Sequence, residues 1–285
     1  MPIVSVIIPT FNRAWCLEKA VESVLAQDFL DFELIVVDDG SHDQTPQILE
    51  KYPRVRTLRQ DRKGVSAARN AGVRASSGAL LAFLDSDDQW EPSKLHIQVE
   101  YFQNNPQALI CQTGEIWIRN GKRVNPRLKH EKPSGQVFER SLELCLVSPS
   151  AVMMRRSLFD EMQGFDENLP ACEDYDLWLR IGCRYPVHLI DEPMVIKNGG
   201  HEDQLSSAPG LDRFRIASLA NLLKKASLTH SQRSAALEVL QKKCRIYANG
   251  CAKRKRNQEA QFYRDLANQY TPVPGLSPRI KEVLP

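Results

Sequence analysis

The chain has 285 residues, of which 42% are hydrophobic and 26% are charged, and its formal net charge is +3. This composition is typical of a folded globular protein. It excludes a membrane-spanning helix, because apolar stretches such as residues 3–8 and 79–84 fall far short of the ~20 residues that such a helix needs. No signal segment opens the sequence, so a cytoplasmic protein is expected. Seven cysteines without a CxxC pair predict reduced thiols rather than disulfides or a zinc site.

Short β-branched runs alternate with helical periods through about the first 105 residues. Strands are predicted at residues 4–8, 32–37, 55–58 and 80–84, with helices between them. Strands joined through helices imply right-handed crossovers, so a mainly parallel sheet with helices on both faces is expected. This part, about residues 1–105, is predicted to form the first half of the fold.

The pattern changes after residue 105, and the fold class becomes mixed α/β. Strands are predicted at residues 108–112 and 116–118, followed by Asn120-Gly121, a dipeptide typical of a tight hairpin turn. Further strands are predicted at 150–154 and 187–190, with a helix at 173–181 between them. Residues 106–210 are therefore predicted to form the second half of one domain spanning residues 1–210.

From residue 211 onward only helical periods remain, which predicts a helical C-terminal extension over residues 211–285. Three apolar stripes carry this prediction: Leu211, Phe214, Leu219, Leu222 and Leu223; Leu237, Leu240 and Tyr247; Ala260, Tyr263 and Leu266. Four prolines mark a loose end: Pro272, Pro274, Pro278 and Pro285.

Charge is distributed unevenly between these two parts. Residues 1–210 carry 23 basic and 30 acidic side chains, whereas residues 211–285 carry 15 and 5. A basic extension suggests a polyanionic neighbour, either an anionic membrane surface, a phosphorylated substrate or nucleic acid, and a solvated face explains it equally well. The run Lys253-Arg254-Lys255-Arg256 lacks interleaved aromatic residues, so no nucleic-acid partner is expected. The expected contact of these helices is the anionic inner face of the membrane, which would make the protein peripheral to it.

Two predicted strands end in clustered aspartates, which is where an open parallel sheet binds its ligands. Asp38 and Asp39 follow the second strand and can accept hydrogen bonds from a nucleobase or ribose, although Asp-Asp-Gly-Ser alone is also an ordinary turn. Asp85 and Asp87 follow the fourth strand and can face Mg²⁺ or Mn²⁺ bridging them to a diphosphate. A phosphatase with a nucleophilic aspartate is the competing interpretation, but its Asp-x-Asp usually lies near the N-terminus and is followed by Thr or Val, where this chain has Gln89.

Small residues in Gly64-Val65-Ser66-Ala67-Ala68-Arg69-Asn70-Ala71-Gly72 would let the backbone approach a phosphate or a base. Arg69 offers a planar cationic fork to the same ligand. Close packing of a helix on the sheet accounts for the small residues as well, and a structural ion pair accounts for Arg69.

These segments resemble family 2 glycosyltransferases of the GT-A fold. The resemblance covers about residues 3–205 and rests on four ordered motifs: residues 4–13, 36–41, 64–72 and 83–88. It implies inverting transfer of a sugar from a nucleoside diphosphate sugar, most often UDP-linked, to an acceptor hydroxyl, with a divalent metal. It also implies that about residues 1–105 form the nucleotide-binding half and about residues 106–210 the acceptor half of the domain. By that resemblance the nucleotide-binding residues would be Pro9, Thr10, Phe11, Asn12, Asp39, Gly64, Arg69, Asp85 and Ser86. Asp87 would be the principal metal ligand, with Asp85 beside it.

An inverting transfer needs a base for the acceptor proton. Acids in the first turn of the helix at residue 173 can simply complement the helix dipole. The block from Gly164 to Arg180 nevertheless resembles the acceptor side of the family, which makes Asp174 the expected base and Glu173 its orienting partner. Trp178 and residues 147–150 are assigned to the acceptor cleft, although core packing explains Trp178 equally well.

His201 lies in a Gly-containing segment after a predicted strand. An imidazole there can ligate the metal or contact the diphosphate when the segment closes, or it can simply be solvated. The resemblance favours the first role, because some family members carry a histidine in a closing loop at this point.

The predicted pathway is synthesis of a surface polysaccharide or glycolipid of bacterial type, with a carbohydrate or lipid-linked acceptor. A sugar nucleotidyltransferase is an alternative, but it would ordinarily carry a glycine-rich loop after the first strand, where this chain has Pro9-Thr10-Phe11-Asn12-Arg13. A non-catalytic nucleotide-sugar-binding scaffold is a second alternative, and it would be expected to lack one of the carboxylate clusters.

Overall fold

A nine-stranded mixed sheet lies at the centre of the computed structural model, which describes residues 1–201, 203–205 and 208–270. The strands are β1 Val4–Thr10, β2 Phe32–Asp38, β3 Arg56–Arg59, β4 Leu80–Phe83, β5 Gln89–Trp90, β6 Ile110–Arg119, β7 Lys122–Val124, β8 Val152–Arg155 and β9 His188–Gly199. The helices are α1 Leu17–Leu25, α2 Thr45–Glu50, α3 Val65–Ala75, α4 Lys94–Asn104, α5 Phe138–Ser141, α6 Arg156–Glu161, α7 Glu173–Gly182, α8 Asp212–Lys225, α9 His230–Lys253 and α10 Asn257–Gln269.

The sheet has the strand order β3-β2-β1-β4-β8-β6-β9-β5, with β7 paired to β6. β1 pairs in parallel with β2 and β4, and β2 pairs in parallel with β3, as predicted for the nucleotide-binding half. The acceptor half is mixed, because β8 runs antiparallel between β4 and β6 whereas β9 runs parallel to β6. This arrangement confirms the α/β fold class.

The parallel strands are buried on both faces, which is why they are continuously apolar rather than alternating. Side chains of one parity, such as Val6 and Ala82, pack with α1 and α4, whereas the other parity, such as Ile7 and Phe83, packs with the helices of the opposite face. Gly72 in α3 lies so close to Ile7 that a Cβ at residue 72 would be 2.5 Å from its Cγ2 atom. The small residues of this helix therefore serve close helix–sheet packing.

β6 corrects one prediction from the sequence. Two strands were expected at residues 108–112 and 116–118, but a single strand spans Ile110–Arg119. The intervening Gly114 does not break it, because the glycine lies at a register shift against β9, where a Cβ would be 3.0 Å from the carbonyl oxygen of Glu192. The hairpin turn at Asn120-Gly121 is confirmed, and both residues have the positive φ that a type I′ turn requires.

β9 is also much longer than predicted. The expected strand ended at residue 190, whereas β9 continues to Gly199 and so reaches the edge of the sheet that carries the aspartates. The exposed polar residues Asp191 and Glu192 and the following Pro193 hide this continuation in the sequence.

The three C-terminal helices are confirmed, and they pack on the sheet domain. Residues of α8, α9 and α10 share one apolar cluster with Phe138 of α5 and with Tyr175 and Leu179 of α7. The domain boundary at residue 210 stays a prediction. None of the helices among the described residues is long and apolar enough to cross a membrane. The four prolines predicted to mark a loose end lie outside the described residues.

Candidate active site

Three parallel strands bring their carboxyl ends to one edge of the sheet. β1 and β2 end level with each other, with Thr10 opposite Asp38. The next residue, Asp39, donates its backbone N–H to the carbonyl oxygen of Thr10 at 2.8 Å. On the other side of β1, β4 ends at Phe83, directly before the second aspartate cluster. The strand order reverses at this point, which is where open α/β sheets bind ligands.

Asp39 is 4% exposed and holds the loop that leads into α3. Its carboxylate accepts hydrogen bonds from the backbone N–H groups of Lys63 and Gly64, each at 2.8 Å, and from Gln60 Nε2 at 2.7 Å. Gly64 has a φ of +94°, a conformation that favours glycine, and a Cβ added to it would meet no atom within 4 Å. A direct hydrogen bond thus brings Asp39 and Gly64 together, and their contact with a nucleotide stays a prediction.

The loop after β1 carries the other predicted nucleoside contacts. Pro9 and Thr10 are buried in the strand, and Thr10 Oγ1 has no hydrogen-bond partner among the described residues. Phe11 is half-buried, and the Arg62 guanidinium lies 4.1 Å from its ring centroid. Asn12 has a structural role, because its N–H donates to Ser41 Oγ at 2.9 Å and its Oδ1 accepts from the N–H of His42 at 2.8 Å. This loop therefore offers a partly open aromatic ring beside an arginine.

The second aspartate cluster divides into residues with different surroundings. Asp88 is 2% exposed and accepts hydrogen bonds from Ser150 Oγ at 2.7 Å and from the N–H of Asn198 at 3.0 Å. Burial raises the pKa of Asp88 well above its usual value, and Lys197 opposes this effect. Ser86 is also buried. Asp88 thus ties the cluster to β9 and to the segment before β8.

Asp87 is the carboxylate of this cluster that faces His201. Burial raises its pKa, and the neighbouring charge of Asp85 adds to the rise. The Asp87 Oδ2 atom lies 2.9 Å from His201 Nε2, while His201 Nδ1 contacts Asp203 Oδ1 at 2.6 Å. His201 Nε2 is buried, and it has no hydrogen-bond partner among the described residues.

Arg69 is buried, with 3% exposure, between the two halves of the site. Its two terminal nitrogens contact Glu173 Oε1 at 2.5 Å and Asp85 Oδ1 at 2.6 Å. Burial alone would lower the pKa of Arg69, but Asp85 and Glu173 raise it. The structure therefore gives Arg69 the structural ion pairs that the sequence left open, and its contact with a nucleotide stays a prediction.

The acceptor side begins at the N-terminus of α7. Glu173 is buried, and burial raises its pKa against the effect of Arg69. Asp174 is half-buried, and its described hydrogen bonds are few: its Oδ1 accepts from the N–H of Tyr175 at 2.7 Å and its Oδ2 from Cys145 Sγ at 3.3 Å. Its carboxylate therefore keeps free acceptor positions. Glu173 pairs with Arg69 rather than with Asp174, so the predicted orienting role of Glu173 stays a prediction.

Trp178 is a correction to the predicted acceptor side. Its side chain is 1% exposed and packs edge-on against Phe165 in the core, with ring centroids 6.4 Å apart. Four residues complete about one helical turn, so Trp178 lies one turn further along α7 than Asp174, away from the sheet edge. The structure thus favours core packing for Trp178.

Lys197 is the residue of this site that the sequence did not reveal. It lies in β9 beyond the predicted end of the strand, and its Nζ donates to Ser148 Oγ at 3.2 Å. Burial alone would lower the pKa of Lys197, but nearby carboxylates raise it: Glu115, Asp88, Asp85 and Asp174. The only available signal was its position four residues before His201. The charge of Lys197 is therefore stabilised by carboxylates of both the aspartate cluster and α7.

A second buried ion pair supports this side of the site. Glu115 in β6 contacts Lys132 Nζ at 3.0 Å, and its Oε2 accepts from Trp117 Nε1 at 2.9 Å. Burial would raise the pKa of Glu115, but Lys132 and Lys197 lower it to about 2. Burial lowers the pKa of Lys132, although the charge of Glu115 opposes this effect. The carboxylate is therefore firmly ionised.

The surroundings of Asp87 fit a divalent cation. No group of three or more His, Cys, Asp or Glu side chains has metal-binding geometry within the described ranges. Mg²⁺ in nucleotide sites, however, is usually held by one or two carboxylates together with phosphate oxygens. Asp87 and the Nε2 atom of His201 supply such a partial set, whereas Asp85 is engaged by Arg69.

A groove of about 1030 Å³ lies away from this edge, between α6, α7 and the end of α8. Its lining includes Arg74, Asp166 and Lys225 and none of the aspartates of the sheet edge. We locate the site by its converging charged groups, because catalysis requires reactive side chains and not volume alone.

The sequence of residues 5–163 matches the family model described as glycosyl transferase family 2, which covers more than half of the chain. The chain belongs to glycosyl transferase family 2. An uncharacterised glycosyltransferase of Rickettsia felis is 34% identical over 195 residues, which are 67% of this chain and 32% of that protein. The match therefore spans about a third of the length of that relative.

A second relative is named for its reaction: UDP-Glc:alpha-D-GlcNAc-diphosphoundecaprenol beta-1,3-glucosyltransferase of Escherichia coli. It is 33% identical over 182 residues, which are 63% of this chain and 69% of that protein. Chondroitin synthase of Escherichia coli is 30% identical over 191 residues, which are 64% of this chain and 26% of that protein.

Solved structures confirm the GT-A-like fold. TarS of S. aureus in complex with UDP superposes with a TM-score of 0.67 at 21% identity, covering 87% of this chain and 72% of that one. The mannosyltransferase PcManGT of Pyrobaculum calidifontis, in complex with GDP-Man and Mn²⁺, has a TM-score of 0.60 at 17% identity. The match covers 94% of this chain and 84% of that one. At these identities the likeness shows the fold alone.

Proposed function

We propose that this family 2 protein transfers a sugar from a UDP-sugar to an acceptor hydroxyl with inversion. One observation carries the proposal: Arg69 contacts both Asp85 at the end of β4, at 2.6 Å, and Glu173, at 2.5 Å, which brings the candidate base Asp174 close to the strand-end aspartates although they lie about 90 residues apart in the sequence. A donor-binding edge and a candidate base thus face one space. The named glucosyltransferase relative, which uses UDP-Glc, supports the choice of UDP.

The donor would lie along the carboxyl edge of β1, β2 and β4. Asp39 would accept a hydrogen bond from the nucleobase, with Phe11 beside the base and Arg62 over that ring. Asp85 would approach the ribose. Because backbone N–H groups already hold Asp39, its carboxylate needs little reorganisation when the nucleotide binds.

Asp87 and His201 would hold the divalent cation. When bound, such an ion offsets the negative charge that develops on a departing diphosphate. Asp85 is a weaker candidate ligand, because Arg69 already pairs with its carboxylate.

Asp174 would act as the base. As the acceptor oxygen bonds to the anomeric carbon, the bond from that carbon to the diphosphate oxygen breaks, and the diphosphate leaves with the bonding electrons. The acceptor proton passes to a free lone pair of the Asp174 carboxylate, which later releases it to solvent. Attack opposite the leaving group inverts the anomeric centre.

A lipid-linked sugar is the acceptor class that the named glucosyltransferase relative favours, because its acceptor is a diphosphoundecaprenol-linked sugar. The product would then be a glycolipid intermediate of a surface polysaccharide. Residues 147–150 lie beside this space, since Lys197 Nζ donates to Ser148 Oγ.

Calorimetric titration tests the proposal. UDP and GDP are titrated, each with and without Mn²⁺, into the wild type, Asp87→Asn and the control Asp31→Asn, whose exposed side chain lies before β2. We expect Mn²⁺-dependent binding of UDP that is lost in Asp87→Asn and kept in Asp31→Asn. Equal binding by all three proteins would refute the role of Asp87. If neither nucleotide binds the wild type, a non-catalytic scaffold becomes the better hypothesis.

A further inference from the structure

A basic hairpin projects from the acceptor half of the sheet. We use this name for residues 119–132, which comprise the end of β6, the turn at Asn120-Gly121, β7 and a short 3₁₀ turn at Leu128–His130. This segment carries six Lys and Arg residues and a single acidic residue, Glu131. The sheet domain that bears it is acidic over residues 1–210, so the hairpin is a local reversal of charge.

Five of these cations are exposed and form no ion pair with any described residue: Arg119, Lys122, Arg123, Arg127 and Lys129. Unpaired cations on one short hairpin repel one another, and a fold usually separates or neutralises them. A polyanionic surface would remove that repulsion. The charge therefore points to an anionic partner.

Leu128 adds an apolar group to this cationic surface. Its side chain is 88% exposed at the 3₁₀ turn. The turn is seated firmly, because the His130 ring packs on Trp117 with centroids 5.4 Å apart and Lys132 pairs with the buried Glu115. An apolar side chain held outward among cations is typical of surfaces that lie in a lipid headgroup layer.

The hairpin adjoins the mouth of the candidate active site. The N–H of Asn120 donates to the carbonyl oxygen of Gly199, and a Cβ on Gly200 would clash with Asn120 Oδ1. The next residue, His201, faces Asp87 and contacts Trp15, which is 57% exposed. A membrane bound at the hairpin would thus meet the edge of the site.

The run Lys253-Arg254-Lys255-Arg256 at the end of α9 is the surface that the sequence alone suggests for the same partner. Within this run, Arg256 is paired with Glu259 at 3.0 Å. The run therefore has fewer unpaired cations than the basic hairpin. No described contact links this run to the sheet edge.

We propose that the basic hairpin docks this protein on an anionic lipid bilayer, with Leu128 inserted between the headgroups. The inference does not depend on which sugar or acceptor the enzyme uses. It replaces the C-terminal helices as the expected membrane contact.

Co-sedimentation with vesicles tests this surface. The vesicles contain phosphatidylcholine alone or an equal mixture of phosphatidylcholine and phosphatidylglycerol. The hairpin variant is Lys122→Glu/Arg123→Glu/Arg127→Glu, and its matched control is Lys253→Glu/Arg254→Glu/Lys255→Glu, which changes the net charge equally. Thermal melting confirms that each variant is folded.

We expect the wild type to bind only the anionic vesicles. The hairpin variant should partition about 100-fold more weakly, since each cation near an anionic surface contributes about 1 kcal/mol. Leu128→Ser should weaken partitioning about 10-fold through lost apolar burial. The control should bind within about threefold of the wild type, because the proposal places these charges outside the membrane contact, where salt screens them.

Three outcomes would overturn the proposal. The first is a wild type that does not bind anionic vesicles. The second is a wild type that binds both vesicle types equally. The third is a control variant that loses binding while the hairpin variant keeps it. The last result would return the membrane contact to the C-terminal helices.

Discussion

The carboxyl edge of the sheet and the C-terminal helical layer are built from opposite kinds of buried residue. At the edge, charged groups are buried together, among them Asp38, Asp39, Arg69, Asp88 and Glu173. In α8, α9 and α10 the buried residues are almost all apolar, and Lys243 is the buried charge among the described residues there. Burying a charge is costly unless partners satisfy it, so such groups concentrate where a ligand uses them.

The two regions also differ in what holds them together. Asp39 and Asp88 are fixed by backbone N–H groups and a hydroxyl, which orient each carboxylate before any ligand arrives. The helical layer relies on interlocking side chains such as Leu219, Leu240 and Leu266. At the carboxyl edge, some substitutions should therefore change activity and others the free energy of unfolding. A substitution in the helical layer should change the free energy of unfolding alone.

Substitution of the candidate base, Asp174, should have the largest effect on activity and leave folding almost unchanged. We expect Asp174→Asn to lower kcat by between about 10² and 10⁴-fold, because an amide cannot take the acceptor proton. Its melting temperature and UDP affinity should match the wild type, since Asp174 makes few contacts. Release of UDP from the donor, measured with acceptor present, reports kcat.

Asp176→Asn on the same helix is the matched control. Asp176 is buried and pairs with Arg180 at 2.7 Å, so this variant should lose stability while its kcat remains near that of the wild type. Equal losses of kcat in the two variants would show that Asp174 is not the base.

Arg69 should be the residue whose removal most destabilises the edge. Arg69→Met leaves Glu173 buried without its cation, and we expect the free energy of unfolding to fall by about 3 kcal/mol at neutral pH. Without Arg69, burial raises the pKa of Glu173 further, so the protonated folded form is favoured. The loss should therefore be smaller at acidic pH and grow as the pH rises above the pKa of an unfolded glutamate.

Urea unfolding at two pH values measures this loss. Arg74→Met on the same helix is the control, because its side chain is 66% exposed and pairs with Glu167 at 3.6 Å. We expect a change within about 0.5 kcal/mol for the control. A pH-independent loss for Arg69→Met would indicate that packing of the arginine, rather than its charge, stabilises the edge.

The smallest expected effect lies at the start of α9. Thr229 caps this helix, accepting from the N–H of Gln232 at 3.2 Å while Gln232 Oε1 accepts from the N–H of Thr229 at 3.0 Å. Thr229→Ala should lower the free energy of unfolding by about 1 kcal/mol. Thermal melting measures the loss, and the control is Ser234→Ala, which changes an exposed residue in the interior of the same helix. The affinity for UDP should be the same in both variants as in the wild type.

The predictions from sequence succeeded where a pattern is local. The strands β1, β2 and β4 and the three C-terminal helices follow from apolar runs and periods that each segment carries itself. They failed where a neighbour decides the structure. β6 continues through Gly114 and β9 through Pro193 because each strand pairs with the other, and no single segment records that pairing.

The same distinction applies to the site. The aspartates after β2 and β4 could be singled out because a buried strand ending in carboxylates is a local signal. Lys197 could not, because only the long β9 brings it to those carboxylates. Trp178 was ambiguous for a related reason, since an aromatic residue on an amphipathic helix is equally compatible with a core and with a cleft until its neighbours are known.

The sequence by itself determined the family, the order of the strands and helices in the nucleotide-binding half, and which acids end the strands. Tertiary structure decided which charges meet: Arg69 with Asp85 and Glu173, Asp87 with His201, and Lys132 with Glu115. The physical reason is that apolar periodicity is carried by neighbouring residues, whereas electrostatic energy depends on distances between residues that only folding brings together.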